Sequence, residues 1–365
     1  MATTPSGLPS KIAILPGDGI GNEVVAVGRR VLDLYREKKG LPLELWDLDL
    51  GAERYLRDGT TMPKEIFEEV RDRCGAVLLG ALGDPRVPGL EHARDILFGF
   101  RFGLDLFANV RPCKALDDRL VPLKGKGAKD VSFVVFRENT EGVYVGMGGN
   151  FKKGTPDEVA INEDLNTRKG VERILRAAFQ HARSHGNRTV HMADKSNAMR
   201  ASGDLWQRSF REVARDFPEI EAKHVYVDAL CLYLIQDPSK FEVIVTNNLF
   251  GDIVTDLAAA LHGGLGMACS ASVHVKADGS KVVGLFEPVH GSAPDIQGKD
   301  LANPLACVLT CGQLLAHLGW PDEEARIERV VQLAIREGKC TRDVGGALGT
   351  KAVGDFVIER LSAEL

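Results

Sequence analysis

Features that would direct a chain to a membrane or to nucleic acid are missing from this sequence. No apolar run approaches the roughly 18 residues that a membrane-spanning helix needs, and no signal peptide precedes the first predicted strand. The 365 residues carry a formal net charge of −5, and this acidic balance argues against general affinity for nucleic acid. We therefore predict a cytoplasmic protein that binds neither nucleic acid nor membranes.

The sequence also lacks a disulfide framework and an obvious zinc site. Its seven cysteines form no Cys-x-x-Cys motif, and their number is odd. Cys307 and Cys311 lie at helical spacing, but no neighbouring His or Cys completes a zinc-binding set. Reduced, mostly buried thiols are the expectation, as in cytosolic proteins. Internal repeats and low-complexity linkers are absent too, so composition alone places no domain boundary.

What the chain does contain is an alternation of strands and helices. Short apolar or β-branched runs predict strands at 11–15, 43–50, 76–79, 131–136, 189–192 and 243–246. Apolar residues at helical intervals predict helices at 63–73, 94–104, 171–185, 205–217 and 304–318. This alternation indicates an α/β protein with a largely parallel sheet, and the length allows two domains. Residues 142–164 predict an arm or hairpin suited to a subunit contact, and residues 1–9 a disordered tail.

A glycine turn, PGDGIG, separates the first strand from a helix that begins near Asn22. Strand, glycine turn and helix in this order invite interpretation as a dinucleotide-binding fingerprint. The fingerprint is incomplete, because Asn22 stands where its third glycine should be. A tight strand-to-helix turn explains the same residues, and no Rossmann domain is predicted.

Asp252 and Asp256 are the candidate metal ligands. They follow the strand at 243–246 and lie four residues apart in a helix predicted at 252–262. At this spacing two carboxylates share one helical face and can bind one hard cation. A helix start also favours carboxylates electrostatically, so capping and first-turn charge remain an alternative. Asp228, predicted at the end of a strand, could supply a third carboxylate.

Three arginines follow apolar stretches and are candidates for binding carboxylates: Arg101, Arg111 and Arg137. Converging, they would suit a di- or tricarboxylic acid; separate salt bridges are the alternative for each. Tyr144 could protonate a carbanion-like carbon, and Lys195, at a strand end, could act as a base. Simple packing and simple exposure are their alternatives. Together with the aspartates, these groups fit oxidation and β-decarboxylation of a metal-chelated hydroxy acid.

The segment EPVHGSAPDI, followed by ANP, indicates a dinucleotide site. Its small residues and backbone amides allow close approach of a pyrophosphate. Asp295 could accept hydrogen bonds from a ribose diol and would repel a 2′-phosphate.

In these motifs the chain resembles the β-decarboxylating dehydrogenases, whose members act on isopropylmalate, isocitrate, homoisocitrate and tartrate or malate. The matching motifs are LPGDGIG, LDLFANVRP, RENTEG-x-Y, DKSN, NNLFGDIVTD and EPVHGSAPDI with ANP. The resemblance implies the two-domain fold of this family, which is not a Rossmann fold. It implies a cofactor-side domain built from residues 1–106 and 263–365. A middle domain, 107–262, would hold the substrate and metal residues, the arm and the dimer interface.

The resemblance also implies roles for single residues. The three arginines would bind the substrate carboxylates, Lys195 would be the base, and Tyr144 would protonate the enol. Asp252 and Asp256 would hold Mg²⁺ or Mn²⁺ together with Asp228, and the partner subunit of a homodimer would supply Lys195 and Asp228. Relatives that use NADP carry lysine and tyrosine at positions 295 and 296, so NAD is favoured. The implied NAD-binding residues are His290, Gly291, Ser292, Ala293, Asp295, Ile296 and Asn303.

The residues before Arg101 indicate the substrate. Isocitrate-specific members carry serine and asparagine where this chain has Asp95 and Leu97, and homoisocitrate-specific members carry arginine where it has Phe98. Leu97 and Phe98 would form an apolar wall that suits an isopropyl group and leaves a third carboxylate unpaired. The implied reaction is oxidative decarboxylation of (2R,3S)-3-isopropylmalate to 2-oxo-4-methylpentanoate in leucine biosynthesis. D-malate or tartrate is the nearest alternative, ahead of homoisocitrate and isocitrate, because Arg94 replaces the usual glutamate and leaves relaxed specificity open.

Overall fold

The computed structural model describes residues 2–274, 276 and 282–365. The strands are β1 (Lys11–Gly17), β2 (Glu44–Asp47), β3 (Cys74–Ala81), β4 (Ala108–Lys114), β5 (Ser132–Glu138), β6 (Gly148–Phe151), β7 (Val159–Asn162), β8 (Thr189–Asp194), β9 (Glu221–Tyr226), β10 (Val243–Thr246), β11 (Cys269–Val273) and β12 (Gly284–Pro288). The α-helices are α1 (Gly21–Lys38), α2 (Ala52–Asp58), α3 (Lys64–Arg73), α4 (Glu91–Gly103), α5 (Arg168–His185), α6 (Arg200–Ala214), α7 (Val227–Gln236), α8 (Asn248–Leu261), α9 (Leu305–His317), α10 (Pro321–Arg336) and α11 (Thr350–Glu364).

The chain divides into two compact units. The first comprises Met1–Leu106, Lys114–Lys129 and Ala259–Leu365, and the second comprises Phe107–Cys113 and Asp130–Ala258. The middle domain implied by the resemblance ran unbroken from 107 to 262, whereas the structure groups 114–129 with the first unit.

Side-chain contacts explain this grouping of 114–129. Gln332 Nε2 donates a hydrogen bond to the carbonyl of Leu116 at 2.7 Å. Lys114 Nζ lies 2.5 Å from Glu328 Oε2. Both partners belong to α10, so this segment is attached to a helix of the first unit.

In the first unit the strand order is β2-β1-β3-β12-β11. The first four strands pair in parallel, and β11 is antiparallel to β12. Ile12 and Ile14 enter one apolar core, whereas Ala13 and Leu15 enter another. Strands buried on both faces are typical of parallel sheets covered by helices. Packing on the second core also attaches α4 to this sheet.

In the second unit the strand order is β4-β5-β10-β8-β9. The fully buried β10 pairs in parallel with β5 and β8, and β8 pairs in parallel with β9. Parallel strands place their carboxyl ends at one edge of a sheet, where open α/β proteins bind ligands. Arg137, Lys195 and Asp228 lie at or just beyond the ends of β5, β8 and β9. The β6–β7 hairpin forms a separate antiparallel pair, as expected for the arm.

Three predictions about local structure were wrong. The helix predicted to start at Asp252 starts at Asn248 and has no acidic residue in its first turn, so capping does not explain Asp252. Strand β9 ends at Tyr226, which places Asp228 in the first turn of α7, where the helix dipole favours a carboxylate. The tail predicted at 1–9 is ordered where the structure describes it, because Thr4 N donates to the carbonyl of Leu8 at 2.8 Å and both residues are buried.

Within the described ranges, none of the helices combines the length and apolar character needed to cross a membrane. The seven cysteines all lie in the described part of the chain and form no disulfide bonds, and all except Cys231 are buried.

Candidate active site

Asp252 is the centre of a hydrogen-bonded cluster in the second unit. Its Oδ1 accepts hydrogen bonds from Arg137 Nη1 and, at 3.5 Å, from Arg111 Nη2. Its Oδ2 accepts one from Tyr144 Oη at 2.8 Å. Arg137 comes this close to α8 because Gly251 has no side chain; a Cβ there would lie 2.5 Å from Cγ of Arg137. The structure thus brings four predicted site residues together.

Neutral oxygen atoms orient the two buried arginines of this cluster. Arg111 donates from Nε to Asn109 Oδ1 at 2.7 Å and from Nη1 to Thr255 Oγ1 at 2.6 Å. Arg137 donates from Nε to Asn248 Oδ1 at 2.9 Å. Because a buried charge needs partners, these bonds fix both guanidinium planes. Asn109 and Thr255 were not predicted as site residues, although both lie within four residues of a predicted one.

Asp256 lies one turn after Asp252 on α8 and is exposed. Partial burial raises the pKa of its carboxyl group, and the charge of Asp252 raises it further. A cation between the two carboxylates would offset this repulsion, and carboxylate oxygens are preferred ligands of Mg²⁺ and Mn²⁺. The donor set therefore fits a divalent metal. Across residues 2–274, 276 and 282–365, no group of three His, Cys, Asp or Glu side chains is placed to hold a metal ion, so Asp228 does not complete the set within this chain.

Lys195 follows β8 and forms an ion pair with a second predicted residue. Its Nζ lies 2.6 Å from Asp228 Oδ2 and 6.0 Å from the ring centre of Tyr226. The hydrogen bond from Lys195 lowers the pKa of Asp228. The pair is partly accessible, so its charges are held in place without being removed from water.

Asp194 fixes the backbone beside Lys195. This buried carboxylate accepts hydrogen bonds from Ser196 N and Oγ, both at 3.0 Å, and from His224 Nε2 at 2.8 Å. The loop that bears Lys195 is thereby joined to β9, the strand that leads to Asp228.

Helix α4 presents Leu97, Phe98 and Arg101 on one side, since residues three and four apart on a helix are neighbours. Arg101 Nη2 donates to Glu287 Oε1 at 2.6 Å, and both side chains are largely buried. Leu97 packs against the apolar core, and the ring of Phe98 stacks on Phe102 with centroids 5.2 Å apart. A buried guanidinium group needs a partner, and in the first unit the carboxylate of Glu287 is a partner of Arg101.

A cavity of about 910 Å³ lies in the first unit, a volume typical of ligand sites. Four of the seven residues implied in NAD binding line it, namely His290, Ala293, Ile296 and Asn303. The other three, Gly291, Ser292 and Asp295, lie on the same loop outside the lining.

His290 contributes an unused hydrogen-bonding atom to this cavity wall. Its Nδ1 lies 3.0 Å from the carbonyl of Gly291, whereas its buried Nε2 has no hydrogen-bond partner among the described residues. Burial lowers the pKa of the ring, which is therefore neutral at pH 7. Buried polar atoms in proteins are normally paired, so a polar group of a ligand would satisfy this nitrogen. The cavity fits a polar cofactor such as a dinucleotide.

Two further residues of the cavity wall, Arg342 and Asp343, come from the loop after α10. Asp343 Oδ2 accepts a hydrogen bond from Asn303 Nδ2 at 2.9 Å, and Asn303 Oδ1 accepts one from Leu305 N at 3.0 Å. Both ends of the Asn303 amide are thus fixed. This loop was not predicted as part of the site, although its TRDVGG segment combines charged residues with two glycines, a composition suited to a ligand-contacting turn.

Comparison with known proteins decides the family. A family model described as isocitrate/isopropylmalate dehydrogenase matches residues 11–357. The chain belongs to the isocitrate/isopropylmalate dehydrogenase family. Its fold class, predicted from strand and helix alternation and from the resemblance, is thereby confirmed.

Individual relatives in the isocitrate/isopropylmalate dehydrogenase family resemble the chain along nearly its whole length. It is 41% identical to the 3-isopropylmalate dehydrogenase of Thermobifida fusca over 97% of this chain and 98% of the relative. It is 44% identical to that of Streptomyces griseus over 96% and 98%, respectively. The crystal structure of isocitrate dehydrogenase from Methylococcus capsulatus has a TM-score of 0.86 at 34% identity and covers 96% of this chain and 99% of its own.

Proposed function

We propose that this chain is an NAD-dependent 3-isopropylmalate dehydrogenase assisted by Mg²⁺ or Mn²⁺. It converts (2R,3S)-3-isopropylmalate to 2-oxo-4-methylpentanoate, CO₂ and NADH in leucine biosynthesis. The observation that supports this most strongly is the 41% and 44% identity with two bacterial 3-isopropylmalate dehydrogenases over nearly the whole chain. Leu97 and Phe98 add to it, because they offer apolar contact to an isopropyl group and no charge to a third carboxylate.

The proposed mechanism assigns binding and proton transfer to this chain's own side chains. When bound, the cation supplies positive charge that lowers the pKa of the substrate hydroxyl, and the dinucleotide supplies the oxidant. Arg101, Arg111 and Arg137 neutralise the substrate carboxylates. Lys195 accepts the hydroxyl proton, and Tyr144 returns a proton to carbon after CO₂ leaves. The hydrogen bond from Tyr144 to Asp252 fixes the orientation of the phenol.

The proposal extends to the cofactor and the compartment. Asp295 is exposed on the loop beside the cavity, where its carboxylate would accept hydrogen bonds from a ribose diol and repel a 2′-phosphate. NAD is therefore proposed over NADP. The absence of disulfide bonds among the seven cysteines, all of which the structure describes, supports a reducing compartment, and we place the enzyme in the cytoplasm.

We further propose a homodimer in which Lys195 and Asp228 serve the site of the partner subunit. Within the part of the chain that the structure describes, Asp228 does not join Asp252 and Asp256 in one metal-binding group. Helix α7, which bears Asp228, exposes an apolar surface that a second copy would cover, made by Leu232, Tyr233 and Ile235.

Mixing two inactive variants tests the shared site. Lys195→Met and Asp252→Asn should each abolish turnover. Random mixed dimers contain one site with both native residues, so a co-assembled equimolar mixture should regain about a quarter of wild-type activity. Activity that stays at the level of the separate variants would contradict a shared site.

D-malate is the second candidate substrate, and Arg94 is the residue that favours it. It lies seven residues before Arg101 on α4, is exposed, and has its Nε 4.0 Å from Asp95 Oδ1. On the helix side that also presents Leu97 and Phe98, a guanidinium group would disfavour a purely apolar substrate substituent.

The direct test of the proposed function is NADH formation by the purified protein with Mg²⁺, NAD and 3-isopropylmalate, with the product identified by mass spectrometry. Formation of 2-oxo-4-methylpentanoate in step with NADH supports the proposal. NADH formation only with D-malate would replace the substrate, and none with any hydroxy acid would refute the activity.

A further inference from the structure

The glycine turn after β1 has no part in the proposed mechanism, yet its aspartate accepts hydrogen bonds from other segments of the first unit. Asp18 is buried, with 4% of its surface exposed. Its Oδ1 accepts a hydrogen bond from Ala52 N at 2.6 Å. Its Oδ2 accepts two, from Gly83 N at 2.7 Å and from His92 Nε2 at 2.8 Å. One carboxylate thus joins three separate segments of the chain.

His92 connects Asp18 to helix α4. It lies in the first turn of this helix, has no exposed surface, and stacks on Tyr55 with ring centroids 5.9 Å apart. Leu90 is the N-cap residue of α4, and its side chain makes no capping hydrogen bond to the helix. The Asp18–His92 bond therefore attaches the start of the helix that presents Leu97, Phe98 and Arg101.

The same turn also contacts the loop at the dinucleotide cavity. Ile20 N donates to the carbonyl of Ser292 at 2.8 Å, and Ile20 itself lines the cavity. Gly19 has a φ of +55°, and a Cβ at this position would overlap the Ser292 carbonyl oxygen. Gly83, which also donates to Asp18, lies close to the same loop: a Cβ at this position would be 3.5 Å from Ser292 Oγ.

We propose that Asp18 is a positioning residue that holds α4 and the dinucleotide loop 289–296 in the arrangement needed for turnover. The inference rests on the proposed function, in which α4 contacts the substrate and this loop contacts NAD. It explains why this turn carries a glycine at position 19: Gly19 accommodates the carbonyl group of Ser292. The carboxylate is required because an asparagine has one acceptor oxygen for three donors and would point its NH₂ group at an N–H.

Three substitutions separate the contact of the turn with α4 from its contact with the loop 289–296. Asp18→Asn should raise both the KM for 3-isopropylmalate and the Kd for NADH by about tenfold or more, the effect of losing one charge-assisted hydrogen bond. His92→Leu should raise mainly the KM for 3-isopropylmalate, because it releases α4. Gly19→Ala should raise mainly the Kd for NADH, because it displaces the Ser292 carbonyl. NADH affinity is measured by fluorescence titration without substrate and so does not depend on turnover.

Two controls separate positioning from loss of folded protein. His92→Gln keeps an N–H donor near the place of Nε2 and should restore the KM to within about threefold of wild type. His317→Leu removes another buried histidine of the same unit, whose Nε2 lies 3.0 Å from the carbonyl of Val282 and which is remote in sequence from the turn. It should lower thermal stability and the active fraction while leaving KM and Kd unchanged.

The outcomes are distinct. If Asp18→Asn lowers kcat and stability as His317→Leu does, with KM and Kd unchanged, the residue is merely structural and the inference is overturned. If His92→Gln fails to restore the KM that His92→Leu raises, the hydrogen bond is not the attachment. If the wild type binds NADH but oxidises no 3-isopropylmalate, the proposed function fails, and the effect of Asp18→Asn and Gly19→Ala on NADH affinity still decides the inference for the loop.

Discussion

Replacing Asp256 with asparagine should separate stability from metal binding. Without metal, the pKa of Asp256 is raised by partial burial and by the charge of Asp252, so removing its charge removes a repulsion. The side chain is exposed, and solvent screens the interaction. We therefore expect the free energy of unfolding of the metal-free protein to rise by about 0 to 1 kcal/mol.

Asp252→Asn is the matched variant, and its expected effect has the opposite sign. It removes negative charge that the structure places against the buried guanidinium groups of Arg111 and Arg137 and the hydroxyl of Tyr144. The guanidinium groups are buried but the Asp252 side chain is 37% exposed, so solvent screens part of the interaction. The cost lies between that of an exposed pair and that of a buried one, about 1 to 2 kcal/mol. The two isosteric substitutions, one turn apart on α8, should thus shift stability in different directions.

Urea unfolding in EDTA and again in Mn²⁺ measures both effects. At a Mn²⁺ concentration about one hundred times its Kd, the wild type should gain about 2.7 kcal/mol, and both variants should lose this gain together with turnover. The reasoning is refuted if Asp256→Asn destabilises the metal-free protein as strongly as Asp252→Asn, or if it retains the full stabilisation by Mn²⁺.

Three other expectations concern acid stability and the two ligands. Burial lowers the pKa of His262 from 6.5 to about 4. As the pH falls, this histidine is protonated in the unfolded chain before it is protonated in the folded protein. The free energy of unfolding is therefore highest above pH 6.5 and falls as the pH approaches 4. Between pH 8 and pH 5 the loss is about 2 kcal/mol for this residue, and His262→Gln should flatten the pH dependence of the urea midpoint. Asp295→Lys combined with Ile296→Tyr should raise the NADP-to-NAD ratio of kcat/KM at least about tenfold; an unchanged ratio would remove Asp295 from the ribose site. Leu97→Asn should raise the KM for 3-isopropylmalate by about tenfold with little effect on D-malate, which has no isopropyl group, and an equal effect on both substrates would argue against the apolar wall.

Local patterns in the sequence were sufficient for most helices and strands. The strand predicted at 243–246 is β10, Val243–Thr246, because a β-branched run buried on both faces has a clear signal. The start of the following helix was misplaced because NNLFGD contains three residues that can cap a helix, Asn247, Asn248 and Asp252. Phe250 N donates to Asn247 Oδ1 at 2.9 Å, so the asparagine, and not the aspartate, is bonded to the first turn.

Contacts between distant segments could not be predicted from motifs. Arg101 bonds Glu287, which is 186 residues away in the sequence, and Asp18 bonds His92, which is 74 residues away. A motif shows which chemistry is present, whereas the strand order decides which loops meet. The PGDGIG turn is an example. Its incomplete fingerprint excluded a Rossmann domain, but it gave no indication that Ile20 N would bond the carbonyl of Ser292.

The central claim is tested most directly by comparing initial rates of NADH formation with Mg²⁺ at equal concentrations of 3-isopropylmalate, D-malate, tartrate, isocitrate and homoisocitrate. We predict that kcat/KM for 3-isopropylmalate exceeds that for every other substrate by about tenfold or more, as expected for apolar contact with Leu97 and Phe98. A higher value for D-malate or tartrate would contradict the proposed substrate and assign control of the pocket to Arg94.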